Sequence, residues 1–385
     1  MSMFEKIFSA VLRGVACFFL AVQFLNPKKA HSVRLSSPEV HLAGWNARCL
    51  DHADLNDDGL QDLVYFNLDR SCIEILYRCK KGKIPPRIRP VEKNRWEPVL
   101  EDALYIKERI FVPTNLTSLA IGDLNQDGLP DLVRGSSEDG VFVHFRESNS
   151  TWSEPLLLDT GKLRPFPKSL QIMSHPPNGN SALFLFGVDG LERLDFKDGK
   201  PAYPSMLARE DGKRAYGTEL LDLNGDGFID WIYLVPEDKD SLKLRLGDES
   251  GFGLESSFDL SLSSFPIPFS KEKEKDPIRF CSVEANSNEA VVFFFKKNLL
   301  QLADKEANVL SYDLFSESNR GASWAMEDFD GDGWVDLVVA DSSHGELLFL
   351  PGKSGGAFRG IIKNPCLLYT SDADDEGLGV DLGGR

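Results

Sequence analysis

Four nine-residue segments of this 385-residue chain set oxygen-bearing side chains at fixed intervals. They are Asp54, Asn56, Asp58 and Asp62; Asp123, Asn125, Asp127 and Asp131; Asp222, Asn224, Asp226 and Asp230; and Asp328, Asp330, Asp332 and Asp336. Each segment reads D-x-[DN]-x-D-G-x-x-D. Side-chain oxygens at positions 1, 3, 5 and 9 are hard donors. With a main-chain carbonyl from position 7 (Leu60, Leu129, Phe228 and Trp334) they form the oxygen-only set that Ca²⁺ takes. Glycine at position 6 permits the sharp turn such a cage needs. Mg²⁺ fits less well because it demands stricter octahedral geometry. The expectation is about four calcium sites, each tied to a core by the apolar residue at position 2: Leu55, Leu124, Leu223 or Phe329.

The residues after each ninth position decide which elements hold the loops. Leu63-Val-Tyr-Phe, Leu132-Val-Arg, Trp231-Ile-Tyr-Leu-Val and Leu337-Val-Val are β-branched and aromatic runs, suited to strands and not to a helix. An EF-hand would also require a bidentate Glu at position 12, where Tyr65, Tyr233 and Val339 stand in three of the four copies. Five residues before each first Asp is a small residue, Cys49, Ser118, Gly217 or Ser323, as a crowded inner strand needs.

Self-similarity over tens of residues points to arrays in which each unit covers its neighbour's apolar face. The second and third intervals between loops are long enough to hide a further unit that has lost its ligands. Alignment places Ser174, Pro176, Asn178 and Ala182 on the ligand positions of one, before Leu183-Phe-Leu-Phe. It places Ser282, Glu284, Asn286 and Ala290 on those of the other, before Val291-Val-Phe-Phe-Phe. Six units are expected, beginning near residues 45, 118, 168, 216, 278 and 322. At fifty to seventy residues a unit fits four short strands, so the fold class is all-β, a β-propeller of four-stranded blades.

On these motifs, residues 40–364 resemble the VCBS or FG-GAP repeat family, the calcium-loop propellers related to the integrin alpha head. The resemblance implies a seven-bladed ring with Ca²⁺ between the first two strands of a blade. It also implies a non-enzymatic binding or adhesion role toward an extracellular protein or glycan. The alternative is a propeller-type enzyme such as a polysaccharide lyase, although no converging base and charge neutraliser is visible in the sequence.

Both ends read as separate segments. Lys6 and Arg13 precede an apolar run from Gly14 to Leu25, so residues 1–30 are expected to be a secretory signal, with an N-terminal membrane anchor as the alternative. Residues 31–365 are the propeller. Cys366-Leu-Leu-Tyr-Thr-Ser371 and Gly379-Val-Asp-Leu-Gly-Gly-Arg385 resemble translated sequencing-adapter DNA, so residues 366–385 are expected not to be native and a seventh blade to be cut off. The location expected is secreted, periplasmic or cell-surface, where millimolar calcium fills weak sites.

Other chemistry is sparse. The formal charge of −17 argues against a nucleic-acid partner, whose phosphates need basic surface. His52, beside the first loop, reads as a packing residue. The six histidines are scattered, with no nucleophile elbow, HExxH or phosphate-binding glycine loop. Of Cys49, Cys72, Cys79 and Cys281, the pair Cys72 and Cys79 would cap opposite ends of one strand, too far apart for a disulfide. Lys80, Lys81, Lys83, Arg87, Arg89, Lys93 and Arg95 form a basic stretch, read as a solvated loop or a dock for an acidic polysaccharide. Asn115 and Asn149 head glycosylation sequons.

Overall fold

A computed structural model gives the architecture. It describes residues 18–19, 39–40, 46–80, 104–112, 116–148, 151–175, 180–197, 199–209, 215–236, 238–249, 251–260, 262, 265–269, 278–283, 290–296, 299–302, 323–341, 346–353 and 357–365. Strands and their connections make up all of these, with no helix among the described residues.

Six four-stranded antiparallel sheets follow one another along the chain as propeller blades, each laid down in sequence order from its first strand to its fourth. Blade 1 runs through Ala47–Ala53, Asp62–Asn67, Cys72–Arg78 and Tyr105–Phe111. Blade 2 uses Ser118–Gly122, Asp131–Ser136, Gly140–His144 and Leu156–Leu158. Blade 3 uses Leu170–His175, Asn180–Phe186, Gly190–Lys197 and Ser205–Arg209. In blade 4 the strands are Tyr216–Leu221, Asp230–Leu234, Leu242–Arg245 and Ser256–Phe258. Blade 5 is formed by Ile267–Phe269, Arg279–Val283, Ala290–Lys296 and Leu299–Leu302. Blade 6 is formed by Ser323–Glu327, Asp336–Asp341, Glu346–Leu350 and Ile362–Pro365. Phe18–Phe19 pairs separately with Glu39–Val40. A seventh four-stranded sheet is not found among the described residues.

The apolar second strands explain the packing. Asp62–Asn67 and Asp131–Ser136 are buried along their whole length, as central strands covered on both faces must be. Their side chains fill clusters between successive blades. Val64, Phe66, Ile73 and Ile75 of blade 1 meet Leu119 and Leu132 of blade 2. Val133, Val141 and Val143 meet Leu170, Leu183 and Leu185 of blade 3. Phe184 and Phe186 meet Trp231 and Tyr233 of blade 4, the Phe186 and Trp231 rings packing edge to face at 5.3 Å. Leu242 and Leu244 meet Phe280 and Phe293 of blade 5, and Cys281 and Val292 meet Leu337 and Val339 of blade 6. First strands of neighbouring blades lie side by side, Ala47–Ala53 against Ser118–Gly122 and Ser118–Gly122 against Leu170–His175.

One unit begins elsewhere than the sequence suggests. Blade 5 starts at Ile267 and not near residue 278. The positions 282–290, expected between its first and second strands, instead run from the end of its second strand to the start of its third. With no Asp-Gly turn to fix the phase, Arg279–Val283 and the run that follows it, Ala290–Lys296, suit the second-strand place equally well. Glu284 and Asn286 lie outside the described residues. Blade 3 begins as expected, with residues 176–179 in place of an eight-residue loop.

Candidate metal centres

The four acidic loops sit at equivalent places. In each, the first strand ends on the residue before the first Asp and the second strand opens on the ninth-position Asp. Ala53 pairs with Asp62, Gly122 with Asp131, Leu221 with Asp230 and Glu327 with Asp336. All four therefore lie at the same end of their blades, joining first strand to second.

A shared hydrogen-bond skeleton shapes them. One carboxylate oxygen of the first-position Asp accepts the glycine N–H at position 6, at 2.8 Å for Asp54, 2.9 Å for Asp123 and Asp222, and 3.1 Å for Asp328. The position-3 oxygen of Asn56, Asn125, Asn224 or Asp330 accepts the position-5 N–H at 2.9–3.0 Å. The position-5 carboxylate of Asp58, Asp127, Asp226 or Asp332 accepts the N–H of Leu60, Leu129, Phe228 or Trp334 at 2.8–2.9 Å. These bonds turn the side-chain oxygens of positions 1, 3 and 5 toward the inside of the turn. In the fourth loop Asp328, Asp330 and Asp332 each bring a carboxylate oxygen within 4.8 Å of the others. The other three loops have an Asn amide oxygen in the middle place.

The turn needs two left-handed residues. Position 6 is Gly59, Gly128, Gly227 or Gly333, with φ between +80° and +92°, as the sequence suggests. Position 4 is left-handed as well: Gly225 and Gly331 adopt it freely, whereas Asp57 and Gln126 hold φ of +59° and +64° against their Cβ atoms. The sequence gives no hint of this, because two of the four residues carry side chains.

The ninth-position Asp is a buried clamp. Asp62, Asp131, Asp230 and Asp336 are all 0% exposed. One oxygen accepts the N–H of Leu55, Leu124, Leu223 or Phe329 at 2.8–2.9 Å. The other accepts the N–H of the residue that ends or follows the third strand: Arg78 at 2.8 Å, Arg146 at 3.0 Å, Gly247 at 2.8 Å and Gly352 at 2.7 Å. Burial pushes these carboxyls up, to about 7 for Asp62 and Asp336 and about 6 for Asp131 and Asp230, while the donated N–H groups oppose the rise. Burial also raises Asp58 and Asp330. The position-2 side chains are buried, and Leu55, Leu124 and Leu223 belong to the clusters between their own blade and the next.

The loops differ at their rims. Asn56 is 1% exposed and its amide nitrogen has no hydrogen-bond partner, whereas the Asn125 and Asn224 amides donate to Asp127 and Asp226 at 3.0 and 2.7 Å. In the fourth loop Arg359, 27 residues downstream of Asp332, brings Nη2 to 3.4 Å from its carboxylate and offsets the extra charge of Asp330. Nothing in the sequence pairs these two residues.

The remaining candidates resolve simply. His52 Nδ1 lies within hydrogen-bond distance of Gln61 Oε1, at 2.9 Å, beside the first loop. Cys49, Cys72, Cys79 and Cys281 form no disulfide among the described residues. Cys49 has φ of +53° at an irregularity in the Ala47–Ala53 pairing, a distortion that Gly217 repeats with φ of +74° in blade 4. Of the basic stretch only Lys80 is among the described residues, and Asn115 and Asn149 lie outside them.

No family model and no curated protein matches the chain. Among solved structures it is similar to a protein from Lactobacillus plantarum, at 11% identity over 91% of this chain and 95% of that one, with a TM-score of 0.50. It is also similar to an Agrocybe aegerita lectin that recognises non-reducing terminal N-acetylglucosamine, at 16% identity over 86% of this chain and 85% of that one, with a TM-score of 0.48. At these identities the likeness concerns the fold alone.

Proposed function

We propose that the chain is an exported, calcium-stabilised propeller of the VCBS or FG-GAP type, acting as a non-enzymatic binding module for an extracellular protein or glycan. The observation that carries this reading is the fourfold recurrence of one oxygen-lined turn at one strand register. The donor set suits a hard cation: carboxylate and amide oxygens at positions 1, 3, 5 and 9, and main-chain carbonyls at Leu60, Leu129, Phe228 and Trp334. The ninth-position carboxylates favour the same conclusion. Each is fully buried and none forms an ion pair among the described residues, so a bound divalent ion is the charge that would balance them. When bound, the ion would bridge the turn to the start of the second strand, and the clamp to the third strand would carry that restraint into the blade.

Titration calorimetry in chelator-stripped buffer, with melting curves in EDTA and in millimolar Ca²⁺, tests the reading. Uptake of about four ions and a melting temperature raised by several degrees are expected, because a ligand that binds only the folded state stabilises it by mass action. Absence of both uptake and shift would overturn it.

A further inference from the structure

Between blades 1 and 2 the chain buries three hydrogen-bond donors that have no acceptor. Arg146 is 3% exposed, and neither Nη1 nor Nη2 has a hydrogen-bond partner; the indole Nε1 of Trp152, beside it, has none either. The guanidinium carbon lies 4.5 Å from the centre of the Trp152 ring and 5.7 Å from that of Tyr77. The neighbouring carboxylate, Glu108, reaches only to 3.7 Å of Nη1, beyond hydrogen-bond distance, and accepts the Tyr77 hydroxyl at 2.5 Å. A buried donor that has given up water without gaining a partner is costly, so such a group points to an absent acceptor.

We propose that this seam binds a saccharide through adjacent hydroxyl groups, which accept from the Arg146 fork and from Trp152 Nε1 and donate to Glu108. Charge favours a neutral ligand, because the Glu108 carboxylate already balances the guanidinium and an added anion would meet it at close range. Hydroxyls both donate and accept, which suits a site offering two cationic N–H groups, an indole N–H and a carboxylate. The Trp152 ring supplies an apolar wall for the C–H face of a sugar. Glu108 is 32% exposed and the Trp152 ring half-buried, so the rim of the seam reaches solvent at both residues. Arg146 also donates its backbone N–H to Asp131, so this site abuts the second acidic loop.

The inference rests on the reading of the chain as a binding module, and its test stands apart from that of calcium. The full chain in millimolar Ca²⁺ is screened by ligand-observed NMR against fucose, galactose, mannose and N-acetylglucosamine, with glucuronate and acetate as anionic probes. Binding of at least one neutral sugar is expected, weakened at least tenfold in Arg146→Lys, which keeps the charge opposite Glu108 but loses the fork, and several-fold in Trp152→Phe. If Arg146→Lys does not fold, Trp152→Phe and quenching of tryptophan fluorescence by the sugar decide. No binding of any neutral sugar, tighter binding of both anions, or sugar binding indifferent to these substitutions would overturn the proposal and leave a buried water as the missing acceptor. Melting curves in EDTA and Ca²⁺ without sugar report separately on the calcium reading.

Discussion

Gly352 and Asp336 meet where the third strand of blade 6 ends: the Gly352 N–H donates to the Asp336 carboxylate at 2.7 Å, and a Cβ on Gly352 would lie 2.2 Å from the Val335 carbonyl oxygen. Gly247 repeats this beside Asp230, with 2.1 Å to the Ile229 carbonyl. Backbone cannot yield as a flexible side chain can. Gly352→Ala or Gly247→Ala is therefore expected to cost about 1–3 kcal/mol in urea unfolding. An unchanged midpoint would show that the third strand is not held this closely.

Gln126 keeps φ at +64° in a place where Gly225 and Gly331 serve in the third and fourth loops. Relief of left-handed strain, less the entropy that glycine adds to the unfolded chain, is expected to make Gln126→Gly more stable by about 0.5–1 kcal/mol. Thermal melts of this variant and of Gly225→Gln, which should move the opposite way, check it.

The buried clamps set a pH dependence in the calcium-free protein. The carboxyls of Asp62 and Asp336 titrate near 7 in the folded state, against an ordinary value of 3.8. The folded state therefore holds these protons more tightly than the unfolded chain. The resulting stabilisation is fully present below about pH 4 and is lost as the pH rises through 7. In EDTA, Asp62→Asn should flatten the decline in melting temperature across this window. A wild-type slope no steeper than the variant's would contradict the assignment.

His144 imposes the opposite slope. Burial, and then the nearby Arg134 guanidinium, hold its imidazole down at about 4, and Arg134 Nε donates to His144 Nε2 at 3.1 Å. A depressed histidine contributes stability above its unfolded value of about 6.5, lost as the pH falls through 4. In Ca²⁺-containing buffer, His144→Gln is expected to lower stability at pH 7 but to lose less of it between pH 6.5 and pH 4 than the wild type. Parallel curves would contradict this.

Arg359 is expected to weaken ion uptake at the fourth loop by competing for Asp332. A part-exposed pair of this kind is worth about 0.2–1 kcal/mol. Arg359→Gln should thus raise calcium affinity there about two- to fivefold in a titration resolved by Trp334 fluorescence, and an unchanged or lower affinity would refute the competition.

The acidic turns and the strands after them were legible because their chemistry is local: donors, glycine and apolar run recur within a dozen residues. Blade 3 was found without ligands because Leu183-Phe-Leu-Phe follows a short turn. Blade 5 lacks any such punctuation, so its sequence does not show that Ile267–Phe269 precedes Arg279–Val283 as the first strand. Long-range features were not legible at all. The pairing of Asp332 with Arg359, the N–H of Arg78 or Arg146 on a ninth-position Asp, and the unmet donors of Arg146 join residues whose separation in sequence carries no pattern.

Leu55, Leu124 and Leu223 each wedge into the joint between one blade and its successor, so a turn at the rim is also a spacer in the body of the wheel. Disturbance at one acidic turn is thereby felt first at a single joint. The wheel should loosen sector by sector, as a nearest-neighbour array does, and not dissolve in one concerted step.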